Sequence, residues 1–304
     1  AFASLSVVDL KVQDDLTVID DVIIGGALGV TGAVTGGTIN GVGIISNITN
    51  FSNGILISGD GSTGTLNAAS NNTGLGTSVF DDLTTGDNNT AVGSSALSVL
   101  TTGVNNTAVG QNALTATTSG GYSVAIGQQS LGANTTGGSN VSVGWNSMSA
   151  NTTGINNTAA GDNVMAANTT GTSNVAVGAL ALDANTTASN NTAIGFKSLT
   201  ANTTGADNVA LGAEALEDNT TGNYNVALGK FALTDNTTAD SNVSIGHKSM
   251  FVNTTGHSNI GIGDSALRAN TTANNNTAIG FAALTANTTG AGNVAVGALA
   301  LDAN

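Results

Sequence analysis

Residues 191–212 read NTAIGFKSLTANTTGADNVALG, and inside that stretch the pentapeptide NTAIG of residues 191–195 returns as NVALG at 208–212. The second copy begins seventeen positions after the first. Followed outward in both directions, the closing glycine recurs at Gly76, Gly93, Gly110, Gly127, Gly144, Gly161, Gly178, Gly195, Gly212, Gly229, Gly246, Gly263, Gly280 and Gly297, with every gap equal to 17 across 14 units. Internal periodicity of this kind decides the architecture before any local propensity is consulted.

With that glycine as offset zero, offset −1 is a large aliphatic from Leu75 to Val296 except for Ala160, and offset −2 is always Ala, Ser or Gly. Offset −4 is Asn in 13 of 14 units, Ser123 being the exception. Offset +4 is always large and apolar, Leu in ten units, Met148, Met165 and Met250 in three and Phe80 in the first. Offset +10 is Gly except at Ala188, Ala239 and Ala273, and the consensus is NTAVGxxALxANTTGxx. A register held over 13 intervals without an insertion requires each unit to stack on the one before it. The spacing therefore predicts a solenoid.

Seventeen residues are too few for a helix pair or a strand-plus-helix coil, which need about 20 or more. The expected coil is β, with two short strands and two turns. Offsets −4 to −1 alternate as a strand does, and the expectation is that their β-branched side faces the core. The Gly at zero makes one corner, and the Asn-Thr-Thr-Gly segment makes the other, Gly and Asn being the residues that accept positive φ. A rival local reading exists, because Ala213-Glu214-Ala215-Leu216-Glu217 suits a helix. Stacked coils place equal offsets about 4.8 Å apart, where like charges repel and Asn or Thr ladders hydrogen-bond. Fourteen coils give a shaft of about 67 Å.

Composition agrees with this economy and excludes much else. Charged residues are 8% and aromatics 3% of the 304, with 42 Gly, so a bulky globular core under a charged shell is ruled out. The absence of Pro preserves backbone donors, and the absence of Cys excludes disulfides and thiolate chemistry. A net charge of −14 argues against nucleic acid as a partner, and no apolar run is long enough for a membrane-spanning helix.

Residues 1–70 form a separate β-rich segment, an expected attachment or assembly region, followed by the solenoid at 71–304. Leu10, Leu16, Val22, Leu28 and Val34 lie six apart, and Val12, Val18, Ile24 and Val30 sit two beyond the first four. Asn304 falls at offset +7, halfway through a coil, so further chain or another subunit is expected to cover the open end.

The NTAVG and NVAVG strands resemble the NSVAIG-type repeats of YadA-like heads in trimeric autotransporter adhesins, and similar repeats occur in bacteriophage tail fibres. The resemblance covers residues 72–304. It implies a left-handed parallel β-roll in each chain and a bundle of three chains along one axis. This chain departs from the family in its longer second turn, where Asn-Thr-Thr is added. Separately, LTVIDDVIIGGALGVTGAVTGG at residues 16–37 resembles the LTVxG repeats of phage tail fibres, which favours a viral source. A physical argument also points to a homotrimer, because a coil this thin buries more surface when chains associate.

Chemistry is scarce. Glu214 and Glu217 are the two glutamates and sit on one coil, where they read as solvated side chains rather than an acid/base pair. His247 and His257 lack a third ligand, and Asp14, Asp15, Asp20 and Asp21 match no calcium-loop pattern. No catalytic residue, metal or cofactor is assigned. Asn-Thr-Thr also satisfies the glycosylation sequon repeatedly, which turn chemistry explains better. The informative departures are at variable offsets expected to face solvent: Trp145, Phe196 and Phe281 at +1, Phe231 at +2, Phe251 at +5. Lys197, Lys230, Lys248 and Arg268 are four of the five cations, and with Phe231 and Phe251 they form the candidate ligand-binding set.

The function expected from these observations is that of an extracellular structural and adhesive fibre without enzymatic activity. It is a phage tail fibre on the virion surface or a similar appendage, with a bacterial trimeric adhesin head at the cell surface as the alternative. Its expected partners are two further copies of itself, a cell-surface receptor or glycan, and fibre or baseplate proteins reached by end-to-end assembly; nucleic acid and membrane insertion are not expected. An ice-binding solenoid is a further alternative. Ice-binding faces present Thr at i and i+2, whereas Thr135 and Thr136 are adjacent and point opposite ways.

Overall fold

A computed structural model describes the strands between residues 38 and 58 and the continuous stretch 67–302. All of it lies in one compact unit, residues 36–304. The six-residue rhythm from Leu10 to Val34 and the aspartates Asp14, Asp15, Asp20 and Asp21 lie outside the described residues.

Strands β1 (Thr38–Ile39), β2 (Val42–Ile48) and β3 (Phe51–Ser58) pair antiparallel in succession. On its other side β3 pairs parallel with β4 (Ala69–Ser70) and β5 (Thr73–Leu75), matching Ile55 to Thr73. Thirteen more strands follow, β6 (Thr90–Val92) to β18 (Val294–Val296), each of three residues and each parallel to its neighbours. The register is the sequence period itself: Thr90 pairs with Thr107, Val175 with Thr192 and Thr277 with Val294. The chain is an all-β parallel solenoid whose coil is one sequence period, so that each strand residue pairs in register with its equivalent 17 further on.

Each coil holds one strand rather than two. Every residue at offsets +2 and +4 has positive φ, as at Ser95 (59°) and Leu97 (51°), and the Gly at zero lies near +130°, as at Gly229. Alternating signs of φ take this limb out of the extended region, and they also exclude the helix suggested at residues 213–217, where Glu214 (57°) and Leu216 (54°) are left-handed. A left-handed non-glycine residue costs about 1–2 kcal/mol. At Leu97 that cost is offset by complete burial of the side chain, about 1.5–3 kcal/mol, and by its N–H donating to the Ala113 carbonyl of the next coil at 3.1 Å.

Gly is required at offset zero twice over. Its φ is strained for any L side chain, and a Cβ on Gly93 would lie 2.6 Å from the Gly110 carbonyl oxygen stacked on it. At the second corner the Gly at +10 does not have positive φ; the residue at −5 does, from Asn71 (58°) and Asn88 (59°) to Asn275 (59°). Gly at +10 answers a different need, space: a Cβ on Gly137 would meet the Gly154 carbonyl oxygen at 2.5 Å.

The strand faces are the reverse of the sequence expectation. Offset −2 points inward, with Ala91, Ala176 and Ala210 fully buried, while the larger residues at −3 and −1 point outward, Val209 and Leu211 being 38% and 47% exposed. The reason is volume. Offset +4 already fills the interior, and even at Gly261 an added Cβ would meet Met250 Cγ at 3.0 Å and Ser249 Oγ at 2.8 Å. Ala fits opposite Leu or Met, and Val does not.

The rest of the interior is amide. Asn at −4 is buried from Asn72 to Asn276, and its Oδ1 accepts from the next coil: Asn89 N–H and Asn89 Nδ2 donate to Asn72 Oδ1 at 2.9 and 3.1 Å. A second buried ladder runs along offset +7 from Asn134 to Asn287, with Asn151 Nδ2 donating to Asn134 Oδ1 at 2.9 Å. Both ladders also donate to the corner carbonyl at +10, as Asn140 and Asn151 do to Gly154 O at 2.8 and 3.2 Å. The asparagines of this second ladder are those of the sequon, and burial with the amide nitrogen engaged removes them as modification sites in the folded chain.

Candidate functional site

Two surface features stand out. The first is the outward face of the strands, where offset −1 forms an aliphatic row and offset −3 a parallel row of Val, Ile and Thr. Val141, Val143, Val175, Val177, Ile194, Val209, Leu211, Ile260 and Ile279 are all exposed, and the exact register makes the rows straight. No charged residue occupies either offset in any of the 14 units.

The second is a cluster on coils 229, 246 and 263, past the Gly corner from that face. Lys230 and His247 occupy offset +1, Phe231 and Lys248 offset +2, and Phe251 and Arg268 offset +5. Winding brings offset +2 of one coil diagonally beside offset +5 of the next. Phe231 and Phe251 meet this way edge to face, with centroids 6.1 Å apart and an interplanar angle of 89°. Lys230 Nζ lies 4.6 Å from the Phe231 centroid, and Lys248 Nζ lies 5.8 and 5.9 Å from those of Phe231 and Phe251. Four of the six sequence candidates are thus one group. Arg268 is exposed and stacks one coil beyond Phe251, whose neighbour Val252 donates its N–H to the Arg268 carbonyl at 3.3 Å.

Lys197 stands apart. It makes the same diagonal contact with Glu217, Nζ to Oε1 at 3.3 Å, and lies 5.7 Å from the Phe196 centroid. The sequence offers His247 only as half of a histidine pair; it instead joins the aromatic group, 6.3 Å from Phe231, and its Nδ1 is 3.2 Å from Asp264 Oδ2. The Ser265 hydroxyl, donating to Asp264 Oδ1 at 2.7 Å, holds that carboxyl below the ordinary range, and His247 and Lys248 add attraction. His257 contacts Ser258 instead. Among the described residues no three His, Cys, Asp or Glu side chains are placed to hold a metal ion.

The threonine pairs divide as their adjacency requires. Thr135 Oγ1 donates to the Thr152 carbonyl at 3.1 Å and is half-buried, leaving Thr136 and its equivalents as a single exposed row. No family model, curated protein or solved structure matches this chain. Its function has to be argued from these surfaces.

Proposed function

We propose that the chain is a structural and adhesive fibre without enzymatic activity, acting outside the cell as a phage tail fibre or a comparable surface appendage, and that it works as a homotrimer. The observation that carries the reading is the outward strand face, an aliphatic row at offset −1 beside a row of Val, Ile and Thr at offset −3. Monomeric proteins seldom expose contiguous apolar patches beyond a few hundred Å², and this one continues from coil to coil with no charge in either row. Association of three chains along their strand faces would give each a shared apolar interior that the single coil is too narrow to contain. The solenoid supplies reach and rigidity, since every coil is pinned to its neighbours by backbone and amide hydrogen bonds.

Light scattering with sedimentation tests this. The expected species has about 88 kDa, three times the 29.4 kDa chain, with a high frictional ratio. Val175→Lys with Val209→Lys, placed on the exposed face, should return it to single chains that keep their β circular dichroism. A compact monomer of the unaltered chain would overturn the reading.

A further inference from the structure

The cluster on coils 229, 246 and 263 does nothing for the coil that carries it. Elsewhere offsets +1, +2 and +5 are filled by residues such as Gln111, Asn112 and Thr115, with the same backbone conformation and the same stacking. Charge makes the point more sharply. In a chain of net charge −14, Lys230, Lys248 and Arg268 have no carboxylate within ion-pair distance among the described residues, Asp264 acting on Lys248 only from farther off, although the diagonal that joins Lys197 to Glu217 shows how the coil pairs charges. On the same diagonal Lys248 faces Arg268, cation beside cation. Such an arrangement is unfavourable by itself and becomes favourable when an anion sits between the charges.

We propose that Lys230, Phe231, Lys248, Phe251 and Arg268 form a binding site for an acidic saccharide, a pyranose bearing a carboxylate or a sulfate. The perpendicular Phe231 and Phe251 rings offer a face and an edge against which the C–H side of a sugar packs. The ammonium groups are held over those rings, so less side-chain freedom is lost when the ligand arrives. Lys230 and Lys248 supply point charges, and Arg268 supplies a planar fork suited to two oxygens of one carboxylate or sulfate. The open surface gives a weak site in each chain, which three copies on one fibre would reinforce. The proposal deepens the attachment reading above and rests on it for its biological use.

The test measures binding of 3′-sialyllactose, lactose 3′-sulfate and lactose to the purified full chain by calorimetry and saturation-transfer NMR, which separates carboxylate from sulfate ligands. Expected is saturable binding of at least one acidic probe, about tenfold or more tighter than lactose and weakened by salt. The variant Lys230→Gln, Phe231→Asn, Lys248→Asn, Phe251→Thr, Arg268→Thr uses only residues found at the same offsets in other coils (Gln111, Asn112, Asn146, Thr115, Thr285), so it should keep the parent melting curve and lose that preference. Equal binding of all three probes, no binding of either acidic one, or undiminished binding by the variant would overturn the proposal. A trimer that ignores acidic sugars sinks the site and leaves the fibre; a monomer that binds them sinks the fibre and leaves the site.

Discussion

The coils on Gly76 and Gly93 turn their second corner with Leu83 and Leu100, whereas those from Gly127 onward turn it with buried asparagines, Asn134 to Asn287. Backbone register is the same in both regions, as the pairings Ala91 to Ala108 and Ala193 to Ala210 show. In the leucine coils the corner carbonyl accepts one amide, Asn72 Nδ2 to Gly86 O at 2.8 Å, and at the asparagine-coil corners from Gly154 to Ala273 it accepts two. Thr117 is the adapter between them, its hydroxyl donating to the Asn134 carbonyl at 3.1 Å and accepting from Asn134 Nδ2 at 3.2 Å. A leucine stabilises its own coil by burial. An asparagine here stabilises a neighbour as well, so its contribution exists only in company.

The largest expected effect breaks the frame both regions share. Deleting residues 225–241, one full period, should leave a shorter folded stack, because Asn219 then meets the old Asn253 at the same offset. Deleting about half a period from the same stretch should abolish cooperative melting beyond the cut, since it removes Ala and Leu from alignment and puts other residues at the Gly corners. Circular dichroism and thermal melting read both; equal tolerance would mean that the coils do not act as a register.

The next effect sharpens the comparison directly. Leu100→Asn alone should destabilise by about 3–5 kcal/mol, losing a buried leucine and burying an amide without a full set of partners. Changing Leu83, Leu100 and Thr117 all to Asn extends the ladder down the stack, and the triple variant should cost less than the sum of its singles by about 1–3 kcal/mol per adjacent pair. Additive losses would show that the ladder is a row of independent residues.

The third, and smallest, concerns a charge ladder. Asp218 and Asp235 share one offset on adjacent coils of the asparagine region, beside Asn219 and Asn236. Burial pushes the Asp235 carboxyl above its ordinary range, and the Asp218 charge pushes the same way. The folded chain therefore holds this proton more tightly than the unfolded chain. The associated stability is complete below the ordinary aspartate range and is lost as pH rises through the raised value. Asp235→Asn should raise the melting temperature at neutral pH and flatten its decline with pH, with no change at strongly acid pH. An unchanged pH profile of melting would contradict this.

Period, parallel register and the glycine corner are legible in the sequence because each follows from strict repetition at offset zero. The orientation of the strand is not legible from its pattern alone. A large-small-large alternation such as Val209-Ala210-Leu211 ordinarily marks the larger side as buried, and here the smaller side is. The clue lies across the coil, in the constant bulk at +4 set against the constant smallness at −2, two halves of one narrow volume. The second asparagine ladder is visible as repetition but reads as turn chemistry, because burial of an amide depends on partners contributed by other coils. The candidate cluster is legible as residues at variable offsets; which of them touch is not, because the diagonal from +2 to +5 is a property of the wound coil. That diagonal separates Lys197, beside Glu217, from Phe231, beside Phe251.

The amide ladders also give the stack a direction. In both, the nitrogen of each residue reaches back to the preceding coil and the oxygen is offered to the following one, as from Asn168 to Asn151 and from Asn174 to Asn157. The side-chain dipoles therefore add head to tail, and polarisation along such a chain strengthens each member. Any run of these coils presents unspent amide hydrogens at its leading face and unspent oxygens at its trailing face. Two runs can continue one another nose to tail, hydrogen to oxygen, and cannot do so nose to nose. The molecule carries an arrow in its interior, and a filament grown from it would inherit one polarity.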